Sequence, residues 1–178
     1  MSSMFVWRHP RPEGAAGRCI GAGTDLPVPR RRAKRLARRI QQVARRERLP
    51  HVACCSPLRR SADVGRWLKR WGWRLHIDPA LREIDFGAWD GRRWDDIGVA
   101  AVDAWTADFA GYASVGGESL AALLARVAAW SPPAGACVLV GHGGWMLARR
   151  WLAERGQDLP KAATWPAPPA YGALWLLA

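Results

Sequence analysis

Short apolar runs alternate with amphipathic stretches along most of the chain. Runs dominated by apolar residues at 4–7, 51–55 and 136–140 have the length of β-strands that are buried on both faces. Between them, apolar residues recur every three or four positions, which predicts helices with one buried face. The alternation of strands and helices predicts an α/β fold, a three-layer α/β/α sandwich around a mainly parallel central sheet.

Proline, glycine and serine mark the ends of several predicted elements. A helix is expected over 30–48, ended by Pro50, and a second over 56–70, with Ser56 as its cap and Pro57 as its first residue. The other expected elements are a β-like stretch at 73–78, a loop at 79–91, a weakly helical stretch at 92–111, a helix at 118–130, a helix from Gly144 to about Arg155 and a last strand at 171–177.

Polar residues follow several of the predicted strands. Arg8 and His9 follow the first strand, residues 56–60 follow the second, and His142 follows the strand at 136–140. In a parallel sheet, ligands bind beyond the carboxyl ends of the strands. We therefore expect these groups to meet at one edge of the sheet, together with Glu83 from the loop after the third strand.

Length and composition restrict the class of protein. A chain of 178 residues with 49% hydrophobic residues suggests one domain over 1–178, and excludes a disordered chain or a disulfide-stapled miniprotein. No apolar run approaches the roughly 18 residues that span a bilayer, and the short run before Arg8 is not a secretory signal. We expect a cytoplasmic protein with no membrane partner. The four cysteines and four histidines lack zinc-type spacing, so free thiols and no metal are expected.

The positive charge is concentrated in one segment. Residues 30–48 hold ten Lys and Arg against one acid, so that only +3 of the formal +12 belongs to the rest of the chain. Such a charge attracts anions, whether phosphorylated metabolites, nucleic acid or an acidic surface. Because the segment also has an apolar face, we expect its charges to lie on a solvated helix face. On this interpretation nucleic acid is not the expected partner, but the charge alone does not select a small phosphorylated metabolite.

The residues expected at the sheet edge suit phosphoryl transfer. Arginines and a histidine can surround a phosphoryl group with charge-assisted hydrogen bonds, and Gly141, Gly143 and Gly144 let the backbone approach an anion at a helix start. A second histidine can attack phosphorus, and a carboxylic acid can protonate the leaving oxygen before deprotonating water. This scheme needs neither a metal nor a cofactor.

Five sequence motifs follow one another through most of the chain. They are VWRHP (6–10), CSPLRRSADV (55–64), LREIDFGAWDG (81–91), GGESL (116–120) and VLVGHGG (138–144). In this order they resemble the histidine phosphatase superfamily, in the branch that includes the cofactor-dependent phosphoglycerate mutases. The resemblance implies a phosphoglycerate mutase-like fold and a phosphohistidine intermediate.

The resemblance also implies a role for each matching residue. His9 would be the nucleophile, and Arg8 and Arg60 would bind the phosphoryl oxygens. His142 would stabilise the transferring group, with the backbone of Gly143 beside it. Since His9 must be neutral to attack, we expect the two arginines to lower its pKa by like-charge repulsion.

A carboxyl group from the loop at 79–91 would be the general acid and then the general base. The position of Glu83 in the family motif favours it, while Asp85 and Asp90 in the same loop are the alternatives. Glu118 is a candidate substrate-binding residue, although a favourable place in the first turn of the helix at 118–130 would also explain it.

An aromatic side chain could stack on the substrate. Trp89 is the candidate, with Trp94 and Trp145 as alternatives. Residues 92–115 are expected to form a lid over the site. Because this stretch has little charge and several aromatic residues, it favours a small monophosphate with an apolar or heterocyclic body.

Within the superfamily, the sequence looks most like the alpha-ribazole phosphatases. The loop RPEGAAGRCIGAGTDLPV (11–28) resembles their segment after the catalytic histidine. The implied reaction is hydrolysis of alpha-ribazole 5′-phosphate in the assembly of the cobalamin nucleotide loop. A broad-specificity small-molecule phosphatase, a phosphoglycerate mutase-like enzyme and a non-catalytic polyanion-binding protein on the same scaffold are the alternatives.

The chain departs from the family pattern at four positions. Pro10 stands where the family usually has glycine, and Pro12 and Ala15 replace the Thr and Asn that are common in the mutases. The loss of these polar contacts argues against a mutase. Ile20 stands where the ribazole-type enzymes often have an aromatic residue, which bears on the substrate rather than on the chemistry.

Overall fold

A five-stranded sheet forms the centre of the protein in a computed structural model that describes residues 4–177. Its strands are β1 (Met4–Arg8), β2 (Val52–Cys55), β3 (Arg74–Ile77), β4 (Val138–Gly141) and β5 (Leu174–Leu177), in the order β3-β2-β4-β1-β5. Within the described range, β5 alone runs antiparallel to its neighbour. The predicted α/β fold with a mainly parallel sheet is confirmed.

Six α-helices connect or flank these strands in the described part of the chain. They are α1 (Arg30–Arg46), α2 (Arg59–Arg70), α3 (Trp94–Ile97), α4 (Val99–Ala107), α5 (Leu120–Ala129) and α6 (Gly143–Arg155). Single turns of 3-10 helix occupy Pro79–Leu81, Gly87–Trp89 and Ala162–Thr164.

The sheet carries a separate apolar core on each face. On one face α1 and α2 pack against Trp7 of β1 and Val140 of β4, while on the other α5 and α6 pack against Val6 and Leu139. Neighbouring residues of a strand point to opposite faces, which explains why Val6 and Trp7 belong to different cores. Helices therefore cover both faces, as predicted, and leave the carboxyl ends of the strands open for a site.

Two predicted helix starts are wrong, and hydrogen bonds explain both. The hydroxyl of Ser56 accepts from the N–H of Leu58 at 3.2 Å, which closes a turn, and the helix begins only at Arg59. The helix expected from residue 118 begins at Leu120, because the hydroxyl of Ser119 caps it by accepting from the N–H of Ala122 at 3.1 Å. Glu118 thus precedes the cap and is not a first-turn acid.

The lid segment (residues 92–115) holds α3 and α4 and packs on aromatic side chains. Trp105 is its centre, with its ring centroid 5.9 Å from that of Trp89 and 5.2 Å from that of Phe109. Ile97 joins Trp89 and Cys19 in a small buried cluster. The segment is therefore attached to the loops around the sheet edge by apolar contacts of its own.

The cysteines are free thiols, as predicted. All four lie within the described range and none forms a disulfide. Burial raises the pKa of Cys54 and of Cys55 to about 12, so both stay protonated at neutral pH. Between residues 4 and 177, no helix is long and apolar enough to cross a membrane.

Candidate active site

The carboxyl ends of the parallel strands bring the predicted site residues together. Arg8 ends β1 opposite Gly141 of β4, and the N–H of His9 donates to the carbonyl of Gly141 at 3.0 Å. His142 follows Gly141 directly and precedes α6. Arg60 lies in the first turn of α2, which follows β2. The parallel pairing of the strands thus brings motifs that are far apart in the sequence to one site.

Two buried histidines form the centre of the site. The ring centroids of His9 and His142 are 5.0 Å apart, and the two residues are only 4% and 0% exposed. Nδ1 of His9 lies 2.7 Å from the carbonyl oxygen of Pro10. Because a carbonyl can only accept, this nitrogen carries the proton in the neutral ring. The lone pair is then on Nε2, which is the atom free to attack.

Burial and neighbouring cations keep both rings neutral. Burial, followed by the charge of Arg60, lowers the pKa of His9 well below its ordinary value of 6.5. The hydrogen bond to Pro10 raises this pKa, and the charge of Arg8 lowers it further. The pKa of His142 is likewise lowered well below 6.5, by burial first and then by His9 and the arginines. The expected repulsion by arginines is present, although burial is the larger cause.

Backbone carbonyls hold the guanidinium of Arg60. Its Nη1 donates to the carbonyl of Thr24 at 2.6 Å and its Nη2 to that of Gly21 at 2.8 Å. The Asp90 carboxylate in turn accepts from the N–H groups of Gly21 and Gly23, at 3.0 and 2.7 Å. The loop at 21–24 therefore holds the charge of Arg60 beside the histidines, and Asp90 in turn holds that loop.

Residues near the end of the chain hold Arg8. Its Nη1 donates to the carbonyl of Pro169 at 2.5 Å, and its guanidinium carbon lies 4.0 Å from the ring centroid of Tyr171. The Tyr171 ring is also 5.6 Å from that of His9. Neither residue carries a motif, and the proline-rich stretch at 166–169 predicts only a turn, so sequence reasoning missed both.

Several polar atoms at this edge are buried without a partner. Among the described residues, Nε of Arg8 and both ring nitrogens of His142 have no hydrogen-bond partner. Buried polar atoms are almost always paired, so these atoms can still form hydrogen bonds to a polar ligand or to water. A side chain at Gly143 would crowd Arg8, since a Cβ there would lie 3.3 Å from its guanidinium carbon.

The Glu83 carboxylate lies at the start of α6. Its Oε1 accepts from the N–H of Ile84 and its Oε2 from the N–H of Gly144, both at 3.0 Å. A Cβ at Gly144 would be 2.4 Å from Oε1, so only glycine permits this approach. Burial lowers the pKa of Arg60, and the nearby Glu83 carboxylate opposes this by raising it. The charge of Glu83 therefore acts on the Arg60 guanidinium.

The other two acids of the loop support backbone turns. Asp85 accepts from the N–H of Gly87 at 2.8 Å, and Asp90 holds the loop that contacts Arg60. Glu83, by contrast, contacts the helix that begins beside His142. The geometry therefore favours Glu83 over Asp85 and Asp90 as the acid and base.

An apolar cavity lies beside Ile84 and Gly144, the two residues whose N–H groups bind the Glu83 carboxylate. The space inside it is small, about 120 Å³. Its wall is mainly aromatic, formed by Phe86, Trp89, Trp105, Phe109, Tyr112 and Trp165, and Glu118 and Gly144 also line it. Its aromatic wall suits an apolar or heterocyclic group of a ligand.

The structure separates the three candidate tryptophans. Trp89 is in the wall of this cavity. Trp145 is fully buried in the core and donates to the carbonyl of Ala80 at 3.1 Å, so it cannot stack on a ligand. Trp94 stacks on Trp105 within the lid segment, does not line the cavity and is 36% exposed. No group of three or more His, Cys, Asp and Glu within residues 4–177 is placed to hold a metal ion.

Comparisons with known proteins identify the family of this chain. The family model described as histidine phosphatase superfamily (branch 1) matches residues 4–168. A comparison with curated protein sequences finds no significant match. Among solved structures, a mycobacterial glucosyl-3-phosphoglycerate phosphatase complexed with VO3 superposes with a TM-score of 0.74 at 26% identity, over 98% of this chain and 91% of that one.

Two further solved structures are similar over nearly the whole chain. Mycobacterial hydrolase 2 has a TM-score of 0.72 at 27% identity, over 97% of this chain and 80% of that one. The protein TTHB049 from Thermus thermophilus has a TM-score of 0.64 at 28% identity, over 99% and 95%. Because the family model spans β1 to β4, the six α-helices and both histidines, this chain belongs to branch 1 of the histidine phosphatase superfamily.

Proposed function

We propose that this protein is a metal-independent phosphomonoesterase that forms a phosphohistidine on His9. The observation that carries the proposal is the pair of buried, neutral histidines 5.0 Å apart, with a lone pair on Nε2 of His9 and unpartnered polar atoms on His142 and Arg8. The guanidinium groups of Arg8 and Arg60 supply the positive charge that a phosphoryl group requires.

In the first step Nε2 of His9 attacks phosphorus. A bond from nitrogen to phosphorus forms, and the ester bond from phosphorus to oxygen breaks. Glu83, in its protonated form, gives its proton to the leaving oxygen, so that an alcohol departs rather than an alkoxide. Arg8 and Arg60 stay in contact with the phosphoryl oxygens throughout, because carbonyl groups hold Arg60 and the Pro169 carbonyl holds Arg8.

In the second step water attacks the phosphorylated His9. Glu83, now a carboxylate, takes a proton from the water as its oxygen bonds to phosphorus. The bond from nitrogen to phosphorus breaks, which returns His9 to its neutral form and releases inorganic phosphate. Glu83 is again protonated, so the cycle closes without any other reactant.

The decisive experiment compares two histidine variants. Phosphate release is measured with EDTA present, and the acid-labile phosphohistidine is trapped by rapid alkaline quench and located by mass spectrometry. We expect His9→Ala to abolish both signals. His51→Ala is the matched control, because His51 is exposed, stacked on Trp73 at 4.7 Å and remote from the edge. Full activity in His9→Ala would refute the proposal, because another group would then carry the reaction. A wild type without phosphatase activity would instead favour the non-catalytic polyanion-binding alternative.

For the substrate, we propose alpha-ribazole 5′-phosphate, which would place the enzyme in assembly of the cobalamin nucleotide loop. The aromatic cavity beside Glu83 supports a substrate with a heterocyclic body, since a benzimidazole ring can be buried against Trp89, Tyr112 and Phe86. Glucosyl-3-phosphoglycerate is the second candidate, because three structures of one mycobacterial phosphatase of that name are similar to this chain at 26–28% identity.

A substrate panel separates these candidates. It contains alpha-ribazole 5′-phosphate, glucosyl-3-phosphoglycerate, 3-phosphoglycerate, a nucleoside monophosphate and benzyl phosphate. A kcat/KM for the ribazole ester about a hundredfold above the rest, or ~2.7 kcal/mol of transition-state binding, supports the proposal. Preference for the glucosyl ester would reject it. Similar rates on every ester indicate a broad-specificity phosphatase, and interconversion of phosphoglycerates would indicate a mutase.

A further inference from the structure

We propose that Arg126 and Glu118 form a positioning pair that holds Glu83 where it can protonate the leaving oxygen. Neither residue would touch the reacting atoms. The proposal rests on the proposed function, because it assumes that Glu83 is the general acid. Arg126 lies in α5, outside every motif, and it contacts the backbone of the loop that carries Glu83.

Arg126 binds the loop through its backbone carbonyls. Its Nη1 donates to the carbonyls of Ala80 and Arg82 at 2.8 and 3.0 Å, and its Nη2 lies 3.5 Å from the carbonyl oxygen of Glu83. One guanidinium thus contacts three carbonyl groups within four residues of chain. No other side chain of the described residues has a comparable set of contacts to this loop.

Glu118 completes the arrangement from the opposite side. It binds Arg126 in a two-pronged ion pair, from Nε to Oε1 at 3.0 Å and from Nη2 to Oε2 at 2.8 Å. Its own N–H donates to the carbonyl of Asp85 at 2.7 Å, and its Oε2 is 3.4 Å from the N–H of Asp85. The pair therefore fixes the backbone immediately before and immediately after Glu83.

The chemistry of the two side chains explains why this arrangement resists substitution. A guanidinium is planar and always charged, and its five N–H groups let it serve a carboxylate and several carbonyls at once. A lysine keeps the charge but not this geometry. Both side chains are largely buried, with 26% of Arg126 and 17% of Glu118 exposed, so their removal would leave buried polar groups without partners.

The position of a general acid matters only when the leaving group needs a proton. Benzyl phosphate and 2,4-dinitrophenyl phosphate both carry an aromatic ring that suits an aromatic cavity, but only the first releases a strongly basic alkoxide. The kcat/KM of each reports the steps up to ester cleavage. A defect in the position of Glu83 therefore lowers kcat/KM for the benzyl ester and spares the dinitrophenyl ester.

The experiment measures both esters in Arg126→Lys and in Glu118→Gln, each also combined with Glu83→Gln. We expect each single variant to lower kcat/KM for benzyl phosphate about 10- to 100-fold, and for the dinitrophenyl ester less than about threefold. With Glu83→Gln already present, either change should add less than about threefold, because the acid it positions is gone. Arg150→Lys is the matched control, an exposed arginine of α6 paired with Glu154.

The outcomes separate this proposal from the proposed function. Equal losses on both esters, or losses that multiply with that of Glu83→Gln, would overturn the positioning role and indicate a general effect on folding. If Arg126→Lys does not fold, Glu118→Gln carries the same test. If His9→Ala remains active, or if Glu83→Gln itself treats both esters alike, the proposed chemistry is wrong and the positioning role is wrong with it.

Discussion

At the residue scale, the burial that keeps His9 and His142 neutral also makes the fold sensitive to acid. Both have a folded-state pKa well below 6.5. In the unfolded chain each has an ordinary pKa near 6.5 and binds a proton as the pH falls past that value. Protons then favour the unfolded state, so stability falls as the pH drops from 6.5 towards the folded-state pKa values.

This predicts how the free energy of unfolding changes between pH 6.5 and the folded-state pKa values. Two such histidines give a slope of up to about 2.7 kcal/mol per pH unit. His142→Asn removes one titrating group and should halve that slope. Urea titrations at pH 7.5, 6.5 and 5.5 measure it. An unchanged slope in the variant would show that His142 does not titrate in this way.

A second residue-scale prediction concerns Gly144. Gly144→Ala places a Cβ 2.4 Å from Oε1 of Glu83, and the flexible carboxylate must move away. Because alanine favours a helix over glycine, by about 1 kcal/mol in a helix interior, we expect no loss of melting temperature. We expect kcat/KM for benzyl phosphate to fall about tenfold or more. Activity equal to that of the wild type would show that the close approach of Glu83 to α6 is not needed.

At the element scale, the lid segment depends on one tryptophan. Trp105 contacts the rings of Phe86, Trp89, Trp94 and Phe109. We expect Trp105→Ala to destabilise the protein by about 2–4 kcal/mol and to raise KM for benzyl phosphate more than it lowers kcat. Trp71→Ala is the control, since Trp71 is a half-buried tryptophan that packs on Trp67 of α2. Equal changes in KM for the two variants would contradict a role of the lid segment in binding.

Sequence patterns predicted the elements that have one dominant cause. The apolar runs became β1, β2 and β4, and the apolar face of α1 is buried at Leu36 and Ile40 as expected. The predicted start of α2 was wrong because Ser56 can either cap a helix or close a turn before it. In the structure its hydroxyl accepts from the N–H of Leu58, which closes the turn. Local preference could not choose between them.

The candidate site, too, was predicted only in part. Motifs predicted which residues would meet at the sheet edge, because parallel pairing alone brings strand ends together. They did not predict what holds those residues. The carbonyls that bind Arg60, Arg8 and Arg126 belong to loops of ordinary composition, and any residue offers a carbonyl. Contacts made by backbone groups leave no trace in the sequence.

At the scale of the whole molecule, charge is distributed unevenly. The nine cations of α1 have no acidic residue among them, and the first of these lie near the loop that follows His9, as Arg32 donates to the carbonyl of Arg11 at 3.2 Å. A field of this kind attracts anionic substrates from solution and is screened by salt. The charge of α1 is therefore expected to increase the rate at which substrate binds and to leave the chemical steps unchanged.

This predicts a salt dependence that substitutions in α1 should weaken. Replacing the exposed Arg31 and Arg35 together by Glu should lower kcat/KM for an anionic ester several-fold at low ionic strength, while kcat at saturation stays unchanged. The difference from wild type should shrink at about 0.5 M salt. Initial rates at several salt concentrations test this. A constant difference at all salt concentrations would argue against electrostatic attraction.

The position of β1 has a consequence for folding during synthesis on the ribosome. β1 is hydrogen-bonded between β4 and β5, whose residues are synthesised at least 130 positions later. At roughly 5–20 residues per second, the apolar segment Met4–Trp7 waits about 7–26 s for its first neighbour. We expect a chaperone to shield it during translation, and folding to be slow because its central pairings are so distant in sequence.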